Sequence, residues 1–499
     1  MSKSVIIIGA GMGGLSTGCY AQMNGYKTRI FEMHDKPGGL CTAWERKGYT
    51  VDGCLHWLSG SAPGAGMYKL WEELGMVQGQ QIYNSERFYR FEGADGRVFD
   101  FFTDLSRLEK HMMEIAPEDK AVIKRTIKAI RGFTRMNMPV DKAPELYSVT
   151  DMLKMVFSVL PVMGAFSKYS MMTVRDLSES FTNPLLRAAW QNAWVPEFAS
   201  AFILMTLASM HKKQSGYVLG GSMKLSRAIE KRYLDLGGEI NYRARVEKIL
   251  VEDDCAVGVV LQDGAEHRAD YVISAADGHA TIFDMLGGKY LDENTRIDYE
   301  QLPIFQPLIY VGIGVNRKFD DVPPTISGLC IELAEPVMIA GAEQKWLNVH
   351  IHNFDPSLAP EGKTLITVMI ESGFDYWSKL HENLEQYRAE KDRVSEIVID
   401  QIERRFPGIK AQVEMTDVAT PVTFHRYTGN WQGSYEGWLM IPDVVTLTMK
   451  KTLPGLSNFF MAGQWVMPGG GIPSGAMTGR FVVQLMCKQD GRHFKACKP

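Results

Sequence analysis

The 499-residue sequence has no CxxC pair, no basic arm and no stretch of ~18 uncharged apolar residues. Its seven cysteines, at positions 19, 41, 54, 255, 330, 487 and 497, are odd in number and scattered. That argues against a disulfide framework and for a reducing compartment. A formal net charge of −4 gives no reason to expect a polyanion, so no nucleic-acid partner is expected. The first apolar strand begins at Val5, so no signal or transit segment is expected. With no transmembrane helix either, a cytoplasmic location is expected. The nearest approach to a span is "MLKMVFSVLPVMGAF", residues 152–166, which Lys154 and Pro161 interrupt. It is read as too short to cross a bilayer, and either as core or as a segment dipping into one leaflet, which would make the protein peripheral on a membrane.

Glycine, by contrast, is plentiful and ordered. "VIIIGAGMGGLSTGCYAQMNGYKTRIFE" opens the chain. Val5-Ile6-Ile7-Ile8 reads as a strand buried on both faces. Gly9, Gly11 and Gly14 form GxGxxG, for a tight turn, a close approach to pyrophosphate and helix-on-strand packing. The helix that follows aims its N-terminal amides at the phosphates. A second strand ends at Glu32, 18 residues after Gly14, where a ribose-binding carboxylate is expected roughly 20 residues on. Strand, turn, helix and acid in this order define a dinucleotide site. No second GxGxxG offers a place for NAD(P)H, so the electron donor or acceptor is unknown.

Three further blocks extend the pattern. "MHDKPGGLCTAWERKGYTVDGCLHWLSG" brings Gly38-Gly39 just after the acid. "YVLGGSMKLSRAIEKRYLDLGGEINYRARVEKIL" holds Gly220-Gly221, an amphipathic helix and a strand through Val246. "NFFMAGQWVMPGGGIPSGAMTGRFVVQL" reads as a strand, a glycine turn and a helix starting near Ser474. Together these motifs resemble the flavin amine oxidase superfamily, and within it the FAD-dependent phytoene desaturase, carotenoid isomerase and retinol saturase family. Lys36-Pro37 departs mildly from the basic residue that family places before GG. "DPSLAPEGKT" and "TPVTFHRYTGNWQGSYEGW" extend the resemblance through the middle of the chain, and His56 in "VDGCLHWLSG" leans to the saturase side.

The resemblance implies an α/β chain: a Rossmann-type FAD-binding domain (GR2-like) and a substrate domain of mixed, discontinuous sheet under a helical cap. The expected limits are 1–78, 215–290 and 440–499 for the first, and 79–214 and 291–439 for the second. Contacts to FAD are expected from Gly9, Gly11, Met12, Gly13, Gly14, Glu32, Met33, Gly38, Gly39, Leu40, Gly463, Gly471, Ile472 and Pro473. Val246 is expected to meet the adenine through its backbone, and the C-terminal helix to face the pyrimidine edge of the flavin.

For catalysis the candidates are His56, Tyr435 and Glu436, with His56 expected to exchange a proton near neutral pH. Cys41 and Cys54 flank the same loop, as a redox thiol or as buried filler. His350 and His352 share a strand face; a metal pair is conceivable, but structural histidines are favoured and no metal is expected. The substrate expected is a long hydrophobic small molecule, polyene or isoprenoid, saturated or desaturated at carbon–carbon bonds. Flavin-dependent isomerisation of polyenes or unsaturated fatty acids, amine oxidation and a non-enzymatic prenyl-binding escort role are the alternatives. The intact glycine loops argue against the last.

Overall fold

The β-branched run at the start of the chain is dry on both faces. Val5, Ile6, Ile7 and Ile8 are all buried, and their strand, Ser4–Ile8, is the middle one of five. The computed structural model describes residues 2–445, 447 and 449–499, without the side chain of residue 158. Across the sheet the order is Glu239–Asn241, Lys27–Phe31, Ser4–Ile8, Tyr271–Ser274, Phe459–Met461, every pair parallel. Parallel neighbours need long crossovers, and the helix Met12–Met23 makes the first of them. The connections change direction at Ser4–Ile8, which opens a crevice at the carboxyl ends of the strands.

The helix Gly471–Gln489 closes the chain against Met12–Met23. Small residues permit the approach: a Cβ on Gly475 would lie 3.0 Å from the Met12 Cβ, and one on Gly479 2.7 Å from the Thr17 nitrogen. The helix begins at Gly471 rather than near Ser474. Gly469, Gly470 and Gly471 all have positive φ, so the chain turns into the helix within the glycines. Pro473 is tolerated inside the first turn, where its missing N–H is not needed. Deeper along this helix, Arg480 Nε donates to Glu73 at 3.1 Å, and each side chain is only 5% exposed.

A second, seven-stranded sheet runs Val413–Ala419, Leu308–Val315, Thr364–Glu371, Ala342–Ile351, Leu329–Ile339, Arg87–Glu92, Val98–Phe102. It is mixed: Leu329–Ile339 pairs in parallel with Arg87–Glu92, and its other pairings are antiparallel. Strand alternation splits its faces. Ile309, Val311, Ile366, Val368, Leu347 and Val349 pack with Val394, Val398 and Ile402 of the long helix Leu384–Arg405. Leu308, Tyr310, Thr367, Met369 and His350 point the other way, toward the parallel-sheet layer. The hairpin of Ala43–Arg46 and Tyr49–Asp52 joins the two layers: a Cβ on Gly312 would lie 3.0 Å from Val51, and Tyr310 Oη donates to the Asp52 carbonyl at 2.5 Å.

Helices Leu105–Ile115, Lys120–Phe133, Pro184–Asn192 and Ala201–His211 form the cap. The apolar segment at 152–166 is not core. It belongs to a 22-residue helical run, Val149–Ser170, whose most apolar 18-residue window has mean hydropathy 1.5 and is only 6% buried. Val149 is 73% exposed and Phe157 68%. Pro161 does not end the run, because it falls in the first turn of a 3-10 segment, Leu160–Val162, that carries the chain into Met163–Ser170. By length and composition alone this run is sufficient to cross a membrane, longer than the sequence reading allowed.

Candidate active site

A cavity of about 510 Å³ occupies the crevice at the strand ends. Its floor is backbone. Gly9, at φ +92°, turns the chain out of the first strand and donates its N–H to the Phe31 carbonyl at 2.8 Å. A Cβ on Gly14 would collide with the Gly9 carbonyl oxygen. Gly38 donates to the Ala10 carbonyl at 2.8 Å, and a Cβ on Gly13 would lie 3.0 Å from the Gly463 Cα. Three loops from distant parts of the chain thus meet without side chains between them. Gly11 differs: the nearest atoms to a Cβ there are the Gly38 oxygen and Gly39 Cα, both at 4.0 Å. Its bare Cα keeps the cavity clear, not the protein core. The first amides of Met12–Met23, capped by Gly11, open onto the same space.

Glu32 closes the second strand at 6% exposure. One carboxylate oxygen accepts from the Ala10 N–H at 2.6 Å, the other from the His34 N–H at 2.8 Å. Burial raises its pKa, against the pull of those backbone donors. Each oxygen keeps a lone pair for a ribose hydroxyl. Met33, Gly39, Leu40, Val246, Gly463, Gly471 and Ile472 join these groups on the wall. Gly14 and Pro473 do not line it: Gly14 lies beneath Gly9, and the Pro473 ring packs behind Gly471. A dinucleotide fits these residues, since donors, ribose acid and glycine-cleared floor lie along one cavity.

The other end is formed by side chains. His56, Tyr435 and Glu436 all reach it, with Leu308, Tyr310 and Met369 from the seven-stranded sheet. Asp52 holds the loop bearing His56: its carboxylate accepts from the N–H groups of Cys54 at 3.0 Å and Leu55 at 3.1 Å, and from Ser222 at 2.6 Å. Glu436 lies against Gly470, where a Cβ would collide with it. Burial pushes its carboxyl up to about 8, so it is protonated at neutral pH.

His56 does not behave as the sequence suggests. Burial pushes its pKa down to about 4, so the ring is neutral at pH 7 and is not the imidazolium expected as proton donor. It stacks on His350, centroids 5.1 Å apart and planes 21° from parallel, with Trp57 edge-on at 6.2 Å. His350 and His352 do share a face, 4.1 Å apart, as buried imidazoles whose pKa values burial also lowers. Cys41 and Cys54 both line the cavity. The hydrogen bond that the Cys54 thiol donates to Cys41, then burial, pushes that thiol well above its ordinary value, which disfavours a reactive thiolate.

Sequence reasoning missed Asp277, whose carboxyl burial pushes up to about 7 and which accepts from the Ala280 and Trp431 N–H groups. "ISAADGH" follows a strand end, a signal that could have found it. Tyr310 and Met369 had no local signal; they face each other through sheet register.

Comparison with known proteins agrees with this geometry. Residues 12–487 match the family of flavin containing amine oxidoreductases. The chain is 24% identical to the lycopene-forming phytoene desaturase of Pseudescherichia vulneris, over 97% of this chain and 99% of that one. It is also 24% identical to the chloroplastic prolycopene isomerase of Daucus carota, over 95% of this chain and 78% of that one. An oxidoreductase from Methanosarcina mazei superposes with a TM-score of 0.59 at 18% identity, covering 96% of this chain and 100% of that one. The chain belongs to the flavin-containing amine oxidoreductase family. It is a flavin-dependent oxidoreductase, distantly related over its whole length to carotenoid desaturases and isomerases.

Gly11→Val and Gly14→Ala separate floor from frame. Gly11→Val has room in the protein, so it is expected to keep its melting temperature and lose the bound flavin's visible absorbance. Gly14→Ala, which strikes backbone, is expected to lower stability as well. A folded Gly11→Val protein with stoichiometric flavin would remove that loop from the site.

Proposed function

We propose that the protein binds FAD and acts on carbon–carbon single or double bonds of a long apolar polyene or isoprenoid. The phosphates fall to Gly9, Gly11, Met12 and Gly13, the ribose to Glu32, the adenine to the backbone of Val246, and the ring to the Gly470–Ile472 turn. Bound there, FAD supplies two-electron oxidation or reduction. A separate electron donor or acceptor completes the cycle.

One observation carries the choice of substrate: where Leu308, Tyr310, Met369 and Tyr435 line the cavity, the His56 and Glu436 side chains beside them are uncharged at neutral pH. Glu436 is protonated and His56 neutral. Behind Tyr435 the wall is backed by packed rings: Phe305 at 5.3 Å, then Phe198 at 5.6 Å, Trp194 at 6.0 Å and Trp57 at 5.5 Å. Such a surface suits an uncharged, apolar molecule. The full-length likeness to a phytoene desaturase and a prolycopene isomerase supports the same class. Amine oxidation remains the rival because of the family, and peroxide formed from amines by the purified protein would favour it.

Glu436 takes the proton-donor role first expected of His56. Its carboxyl holds a proton below about pH 8 and lies beside the turn assigned to the flavin ring. In the saturating direction it passes that proton to a substrate carbon. The saturase direction itself rests on the likeness of the His56 loop.

The run Val149–Ser170 suggests how such a substrate arrives. Its exposed Leu153, Val156, Phe157 and Leu160 are suited to a lipid leaflet rather than to water. We take the protein to be cytoplasmic and peripheral on a membrane through this segment.

Two measurements follow. Under anaerobic conditions, protein with photoreduced flavin is mixed with polyenes, and flavin colour and product mass are followed. A gain of two hydrogens with reoxidation is expected. Constant mass with altered double-bond geometry would indicate an isomerase, and loss of two hydrogens with oxidised flavin alone a desaturase. Saturating turnover is expected to fall as pH rises through about 8, and Glu436→Gln to be slow at every pH with that inflection gone; an unchanged profile would exclude Glu436. Separately, liposome flotation is expected to survive high salt, because apolar insertion is not screened. Protein that stays in the soluble fraction at all salt concentrations would contradict membrane contact.

A further inference from the structure

We infer that the His56 imidazole recognises a neutral oxygen, a hydroxyl or a carbonyl, carried by an otherwise apolar substrate. The inference rests on the apolar-substrate reading above and narrows it. His56 is half-buried and lines the cavity beside Tyr435 and Glu436, and neither ring nitrogen has a hydrogen bond or ion pair among the described residues. Buried polar groups are nearly always partnered, and one left bare in an apolar wall costs about 1–3 kcal/mol. The partner must therefore come from the cavity.

The ring is not free to seek another partner. His350 stacks under one face and Trp57 meets it edge-on. His350 is fixed in turn by its strand register opposite Thr367 and by His352 at 4.1 Å. His350 Nε2 and His352 Nδ1 are themselves buried without partners, so a polar seam runs back from His56 into the sheet. A hydrocarbon lying along this wall would leave the seam unanswered.

The type of oxygen follows from charge. His350 lies in ring contact with both His56 and His352, and a proton on any of the three would repel one on the next. A neutral imidazole offers one donor and one acceptor. It matches a hydroxyl through both or a carbonyl through one, and gives a carboxylate or phosphate no counter-charge. Tyr435 and Glu436, which share this end of the cavity, bring no cation either.

The test uses FAD-loaded protein and three probes: a long-chain isoprenoid alcohol, the hydrocarbon of the same skeleton and the corresponding carboxylate. Binding is read by quenching of tryptophan fluorescence, since Trp57 touches His56. The alcohol is expected to bind about tenfold more tightly than the hydrocarbon, the gain from one otherwise unmade hydrogen bond, and more tightly than the carboxylate. His56→Phe is expected to hold FAD and hydrocarbon as before and to lose the preference. His56→Gln, which keeps a donor and an acceptor, should retain part of it. Equal affinity for alcohol and hydrocarbon in the unaltered protein, or a preference that survives in both variants, overturns the inference and leaves the apolar-substrate reading standing. Failure to bind either probe overturns both.

Discussion

Everything in this molecule depends on backbone meeting backbone where the chain's two ends come together. The first loop folds on itself so closely that a Cβ on Gly14 would strike the Gly9 carbonyl, and it meets the loop at Gly463 with only 3.0 Å left for a Cβ on Gly13. The C-terminal helix can lie along the N-terminal one only because Gly475 and Gly479 face Met12 and Thr17. A cofactor site made from residues 9, 38, 246, 463 and 471 exists only once the whole chain has folded. Ligand binding to such a site stabilises the entire fold by mass action, which ties flavin occupancy to the integrity of both sheets.

The two ends of the cavity use opposite chemistry. At the end floored by Gly9–Gly13, peptide N–H groups and the start of a helix present fixed partial positive charge. At the end lined by His56, Tyr435 and Glu436, desolvation keeps Glu436 protonated and His56 unprotonated at the same pH. Burial disfavours the charged form of either type, so one environment moves an acid up and a base down. A polar, anchored cofactor end and an uncharged reacting end are what an enzyme needs to act on a molecule with little to grip.

Much of this was legible in the sequence, and for a physical reason. Glycine spacing, a strand run and a terminal acid are local signals, so the glycine loops and the buried acid at the end of the second strand could be read directly. The helix start was misread by a few residues because positive φ at Gly469–Gly471, not proline, sets the turn. Gly14 and Pro473 belong to the motif but not to the wall, since motif glycines serve packing as well as ligand contact. Tyr310 and Met369 were invisible, because sheet register places them. The state of His56 was misjudged because a side chain's pKa depends on tertiary burial. The exposure of Val149–Ser170 was undecidable from composition, which reads the same for a core helix and a membrane-facing one.

The central claim is that the reacting end of the site is uncharged at neutral pH, with Glu436 carrying the proton. Infrared titration of the flavin-loaded protein tests it most directly. The account predicts a protonated-carboxyl stretching band that persists at pH 7, disappears as pH rises through about 8 and is absent from Glu436→Gln. A Glu436 carboxylate already ionised at pH 7 would contradict it.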